Sequence, residues 1–115
     1  MEDRLAMRGS VTALILIVLR DGTRHGYDIT REVVRRSDGA VGLSYGTLYN
    51  YLKSMEADDL IAGTWEKPAG ERERRLYQLT PKGEQEARKV IASWNDFTAA
   101  MNKIIERRDI REEPA

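Results

Sequence analysis

A mainly α fold carrying one β-hairpin and ending in a long helix is predicted by three features of this 115-residue sequence. Leu48, Leu52 and Met55 recur at helical spacing behind a serine suited to an N-cap. Between Leu60 and Thr80 the period changes from helical to alternating, interrupted by a Pro- and Gly-containing turn. After Pro81, two interleaved seven-residue apolar series run to Ile105. With 41% hydrophobic and 33% charged residues, the composition is that of a folded, helix-rich chain rather than a disordered one. Its length suits one domain, or one domain with an appended element.

The first helix is the apolar body Val11–Leu19, capped by Ser10 and ended by Asp21-Gly22. It is apolar on nearly every side, so it must be buried all round, inside the domain or against a partner subunit. The run is far shorter than the roughly 20 residues that span a bilayer. Arg4 and Arg8 precede it as in a signal peptide, but Arg20-Asp21-Gly22 follows without a small-residue cleavage site. The expectation is a core helix and no membrane partner. The absence of cysteine excludes disulfides and thiolate chemistry and fits a cytoplasmic location.

A second helix spans His25 to Arg36, with Tyr27, Val33 and Val34 as its apolar face, Ile29 and Thr30 near it, and Arg24, Arg31, Arg35 and Arg36 as a basic patch. His25, the only histidine, stands beside Gly26 without an orienting group, which favours a structural or capping role over catalysis. Ser37-Asp38-Gly39 closes this helix.

The third helix is the centre of the chain. Leu43 and Ser44 open it, Leu48, Leu52 and Met55 face the core with Tyr51 at their edge, and Asp58-Asp59 ends it. The opposite side carries Gly46, Thr47, Asn50, Lys53 and Ser54, flanked by Tyr49. A solvated face is usually written in Glu and Lys; this one is small, polar and almost uncharged. Amides and hydroxyls of this kind reach base edges in a DNA major groove, while the helix N-terminus and Lys53 reach phosphates. A helix packed on another protein surface is the alternative.

Ile61, Gly63 and Trp65 share one strand face, as do Tyr77 and Leu79. Lys67–Arg74 forms the hairpin tip, and Arg72, Arg74 and Arg75 crowd the second limb, diluted by Glu71 and Glu73. A basic hairpin after a helix-turn-helix is usually a wing, whose arginines hold phosphates or enter the minor groove; a solvated charged turn is the alternative. Net charge is zero, with 19 basic and 19 acidic residues, so DNA binding would depend on such local patches.

Thr80-Pro81 starts the last helix, with threonine at the cap and proline at the first position. It is expected to run to Arg108. Ala87, Trp94 and Met101 form one seven-residue series, Val90, Phe97 and Ile104 the other, and Ile91 and Ile105 widen the seam. Nothing remains in the chain to cover it, so a second copy is the expected partner. The tail Asp109–Ala115 is charged and expected to fray. No catalytic constellation, metal-ligand cluster, phosphate loop or repeat is visible, so neither enzyme activity, cofactor nor metal is expected.

Three pieces together resemble the PadR family of bacterial transcriptional regulators. They are His25-Gly-Tyr-Asp-Ile29; Leu43-Ser-Tyr-Gly-Thr-Leu-Tyr49 with Leu52-Lys53 and Leu60-Ile61; and Arg74-Arg-Leu-Tyr-Gln-Leu-Thr80 followed by Gly83. The resemblance covers roughly residues 7–94. It implies a winged helix-turn-helix over 1–80, a C-terminal dimerisation helix and charged tail over 81–115, and a homodimer that represses by occupying a palindromic operator in double-stranded DNA. The single C-terminal helix resembles the short branch of the family, in which the first helix joins the dimer contact. Carried over by position, Ser44, Tyr45, Thr47, Tyr49, Asn50 and Lys53 would face DNA, with Arg74 or Arg75 acting from the wing. Trp94 aligns with a tryptophan that, in multidrug-responsive relatives, lines a flat pore between subunits, which implies a planar aromatic effector. Two positions depart from the pattern: Tyr45 stands where the family usually has proline, and the wing carries glutamates where relatives are richer in Gly and Arg. The rival from another class is a winged-helix protein–protein interaction module without DNA binding.

Overall fold

The computed structural model describes residues 10–107; the flanking Arg4 and Arg8, Arg108 and the tail 109–115 lie outside the described residues. The order of elements is α1 (Ser10–Arg20), β1 (Arg24–His25), α2 (Gly26–Arg36), α3 (Tyr45–Ala57), β2 (Ile61–Glu66), β3 (Arg74–Leu79) and α4 (Pro81–Glu106). The fold is mainly helical, with one antiparallel sheet in the order β1-β3-β2.

α1 is the central rod of the core. Val11, Ala13, Ile15, Leu16, Val18 and Leu19 are buried, and Leu14 packs against them half-buried. Ser10, expected as the cap, is instead the first helical residue. α2 buries Gly26, Ile29, Thr30 and Val33, a stripe at i, i+3, i+4 and i+7. This corrects the expected face: Tyr27 and Val34 are exposed, because α1 and α3 cover the side that carries Gly26, Ile29, Thr30 and Val33. Thr30 is buried without penalty because its hydroxyl donates to the Tyr27 carbonyl at 2.7 Å.

α3 begins as the sequence indicates. Ser44 Oγ accepts the Thr47 N–H at 3.2 Å, and Leu48, Leu52 and Met55 are buried. At its end Asp59 adopts φ of 61°, its N–H donates to the Glu56 carbonyl, and Leu60 N–H reaches back to the Met55 carbonyl at 2.9 Å. Those two bonds form a Schellman closure built on an aspartate rather than a glycine. The chain then enters β2, and the hairpin register sets Ile61 opposite Leu79, Gly63 opposite Tyr77 and Trp65 opposite Arg75. The alternating faces read from the sequence therefore meet. The third strand, β1, was not anticipated; Arg24 and His25 pair with Tyr77 and Leu76.

Thr80 caps α4 through the Gly83 N–H at 3.0 Å while its own hydroxyl donates to the Asp59 carbonyl at 2.6 Å. The end of α3 and the start of α4 are thus tied at one residue. Gly83 is buried against the Leu60 carbonyl so closely that a Cβ there would collide with backbone. The first turns of α4 lie on α1, and the rest of the helix extends away from the domain.

Candidate nucleic-acid interface

The outward side of α3 presents Tyr45, Gly46, Tyr49, Asn50, Lys53 and Ser54 exposed, with Thr47 half-buried. Asn50 makes no hydrogen bond among the described residues, so both its amide donor and acceptor are available. Lys53 has no carboxylate within ion-pair distance among the described residues; its ammonium lies 5.6 Å from the Tyr49 ring centroid. Tyr27, Tyr45 and Tyr49 follow one another along the surface, with ring centroids 6.5 and 6.2 Å apart. The Tyr45 ring packs against Gly26 in the first turn of α2, where an added Cβ would lie 3.1 Å from it. Ser44 caps the helix as expected, and its hydroxyl also donates to Thr47 Oγ1 at 3.0 Å.

The wing is more self-contained than the α3 face. Arg74 is exposed and loosely held, 3.6 Å from Glu66 and 3.7 Å from Glu71. Arg75, expected at DNA, is engaged within the domain. Its Nη2 donates to Glu56 Oε2 at 2.6 Å, and its guanidinium lies 5.1 Å from the Trp65 ring centroid. The bond from Glu56 raises Arg75 further above its ordinary pKa. Burial pushes the Tyr77 phenol up as well. His25 occupies the N-cap position of α2 without a side-chain cap bond, and its Nε2 lies 2.7 Å from Glu66 Oε1. The His25 contact, with Arg74 beyond it, holds the Glu66 carboxyl below its ordinary range. Between α2, α3 and the wing lies a cleft of about 650 Å³ lined by Tyr27, Tyr45, Tyr49, Trp65 and Arg74 among others.

The expected basic patch on α2 is largely neutralised. Arg35 and Arg36 both donate to Glu32 at 2.7 to 2.9 Å, and those bonds lower its carboxyl to about 2. Arg36 also reaches Asp21 at 2.9 Å. Arg31 remains the most exposed of the group, 3.9 Å from Asp28.

On α4 the expected seam divides in two. Ala87 is fully buried in the chain's own interior, and Val90 packs half-buried at the edge of the same core. This corrects Ala87 as a seam residue: α1 covers it. Ile91 is half-buried, whereas Trp94, Phe97, Met101, Ile104 and Ile105 are between 42% and 68% exposed. Trp94 meets Phe97 edge-on, with centroids 6.2 Å apart.

The family description "Transcriptional regulator PadR-like family" matches residues 15–89, from the core helix through the first turns of α4. The chain belongs to the PadR-like family. A PadR family transcription regulator from Clostridium difficile is similar over 84% of this chain and 99% of that one, at 28% identity and a TM-score of 0.74. Bacillus subtilis PadR, solved in complex with operator DNA, shares the fold at 22% identity and a TM-score of 0.67. That likeness covers 93% of this chain and 50% of the B. subtilis protein. A protein of Lysinibacillus sphaericus called only "Uncharacterized protein X" is 21% identical over 100 residues, 87% of this chain and 92% of its own length.

This PadR-like protein is therefore a transcriptional regulator in family and fold, not an enzyme. No helix among the described residues is long and apolar enough to cross a membrane. Sequence reasoning placed Tyr45, Thr47, Tyr49, Asn50 and Lys53 on one surface, and the structure keeps them there. It missed Glu56 and Glu66, which hold the wing arginine and His25. Both were legible only as solvated charges, because their partners lie 19 and 41 residues away.

Proposed function

We propose that this chain is a homodimeric repressor that occupies a palindromic operator and is released by a planar aromatic effector. The observation that carries the reading is the exposed, nearly uncharged face of α3, where Asn50 is left with all its hydrogen-bonding capacity. Tyr45, Thr47, Tyr49, Asn50 and Lys53 would enter the major groove, Ser44 would set the helix start, and Arg74 would reach phosphate from the wing. Residues 1–80 serve as the DNA-binding domain and 81–115 as the dimerisation helix and tail. The exposed stripe of α4 supports the dimer. Five large apolar side chains exposed together form a larger patch than monomers commonly carry, and pairing with a second copy removes it from water. The effector reading rests on Trp94, whose ring, with its symmetry mate, would flank a gap suited to a flat molecule. The protein would act in the cytoplasm, where its operator lies.

Selection from random duplex DNA tests the reading. The expected product is a palindrome with half-sites about 10 bp apart or a multiple of it. Its affinity should fall steeply with added salt. Recovery of no enriched sequence, with no salt-sensitive binding, would favour the interaction-module alternative, which the carboxylate-neutralised wing would suit. For the effector, titration with planar aromatic cations should quench Trp94 saturably in a Trp65→Phe background. An unchanged signal across a broad aromatic panel would leave Trp94 as packing.

A further inference from the structure

Beyond their shared apolar core, the wing and α3 are joined by a polar contact centred on Glu56. Glu56, on the last turn of α3, faces the hairpin, and its Oε2 accepts two bonds. One comes from Arg75 Nη2 on β3 at 2.6 Å, the other from the Gly63 backbone N–H on β2 at 3.2 Å. The guanidinium is held from its sides as well, 5.1 Å from the Trp65 ring centroid and 6.0 Å from that of Tyr77. Gly63 leaves room for it: a Cβ there would lie 2.5 Å from Arg75 Nε. One carboxylate, one guanidinium and one missing side chain therefore join α3 to both strands of the wing.

We propose that Arg75 is a positioning residue for operator recognition, fixing through Glu56 and Gly63 the angle between the wing and the α3 face, and is not itself a phosphate contact. This rests on the DNA-binding reading above. The physical reason lies in what release would cost. Arg75 and Glu56 are only 27% and 28% exposed, and their bond is short and charge-assisted. Moving Arg75 to a phosphate would strip Glu56 of its cation and leave a half-buried carboxylate with one amide donor. Arg74, exposed and 3.6 Å or more from its carboxylates, exchanges them for phosphate without that penalty. A major-groove helix and a wing read two separate parts of the duplex, so a few degrees between them misplaces one whenever the other is seated.

The test uses the full chain and the selected operator duplex, comparing wild type with Glu56→Gln, Gly63→Ala, Arg75→Met and the Glu56→Gln/Arg75→Met double variant. Gly63→Ala is informative because it displaces only the flexible end of a side chain, at a backbone position that tolerates alanine. Each single change is expected to weaken operator binding about tenfold, and the double variant to be no weaker than either parent, as for residues acting in one network. The slope of log affinity against log salt stays at the wild-type value in Arg75→Met. A slope flattened by about one unit in that variant, as for a lost phosphate contact, overturns the proposal. So does tighter binding in Glu56→Gln, which would mean that the freed arginine finds the DNA. Amide exchange at Gly63 without DNA provides a readout independent of the operator. It should quicken in Glu56→Gln and Arg75→Met alike, and unchanged exchange in both overturns the latch itself. Wild-type protein that binds no duplex overturns the functional reading and the positioning role together, whereas binding with a flattened Arg75→Met slope overturns this proposal alone.

Discussion

The outer faces of α3 and α4 rest on the same core and are written in opposite chemistry. α3 buries Leu48, Leu52 and Met55 and turns outward Asn50, Lys53 and Ser54 beside two tyrosines. α4 buries Gly83 and Ala87 at its start and, further along, turns outward Trp94, Phe97, Met101, Ile104 and Ile105. The difference shows what each face leaves undone. α4 leaves apolar area in water, which any matching apolar surface relieves, at roughly 1.5–3 kcal/mol per large side chain fully buried. α3 leaves donors and acceptors that water already satisfies, so it gains only from a partner presenting complementary groups in register. The first surface suits a second copy of the chain, the second a base sequence.

The largest effect that would break this contrast comes from placing charge on the α4 stripe. Phe97→Asp with Ile104→Asp would bury two carboxylates per chain in the proposed interface, at several kcal/mol. Sedimentation should show a monomer. Both positions are exposed within one chain, so the winged domain should retain its helical circular dichroism. A variant that remains dimeric would show that the stripe is not the interface.

The root of α4 should respond differently. Gly83→Ala forces a methyl group into the Leu60 carbonyl and should destabilise the domain by about 1–3 kcal/mol, read as a lower midpoint in urea. An unchanged midpoint would mean that the helix can shift off Leu60 freely, and the rooted and free parts of α4 would lose their distinction.

On α3, Asn50→Ala should cost about 1–3 kcal/mol at particular base pairs and little elsewhere. Lys53→Ala should weaken all sequences similarly and flatten the salt slope by about one unit. If Asn50→Ala lost equally on every sequence, that amide would position the protein rather than read bases, and the chemical contrast with α4 would blur.

Acid gives the smallest effect and acts on the packing around α3 rather than on the α4 stripe. The Glu32 carboxyl lies at about 2 in the folded protein against an ordinary 4.5, and Glu66 is lowered in the same direction. Groups depressed in this way stabilise the fold fully above the ordinary value and lose that contribution as pH falls toward the folded one. Stability of the α2 and wing packing should therefore decline between about pH 4.5 and 2, while the apolar stripe has no carboxylate to titrate. Denaturant midpoints measured at pH 6 and pH 3 check this, and Glu32→Gln should shrink the difference between them.

Much of the architecture was legible because its determinants are local. Ser44 and Thr80 each cap a helix through a backbone amide three residues on, so the sequence around each carries the whole interaction. The core stripe of α3 and the hairpin faces follow from period alone, and the register then had to join Ile61 to Leu79 for those faces to coincide. Other features depended on distant chain. The short strand β1 carries no alternation, since it is two residues long and exists only because β3 offers it an edge. The α2 face was misread because nothing in the helix's own sequence sets Tyr27 and Val34 apart from Ile29 and Val33, and the packing of α1 and α3 decides which side is covered. Ala87 fits a heptad seam and a core equally well, and the approach of α4 to α1 settles it as core.

The sequence by itself determined the order of the four helices and the hairpin, the caps at Ser44 and Thr80, the uncharged face of α3 and the excess of apolar surface on α4, because each arises from residues within one or two helical turns. Tertiary structure decided which charges remain available. Arg74 and Arg75 are adjacent and chemically identical. The pleat of β3 turns Arg74 outward, 3.6 Å or more from its carboxylates, and lays Arg75 across Trp65 onto Glu56. An ion pair depends on distance in space, and the 19 residues between Glu56 and Arg75 carry no sign that the fold brings those two groups together.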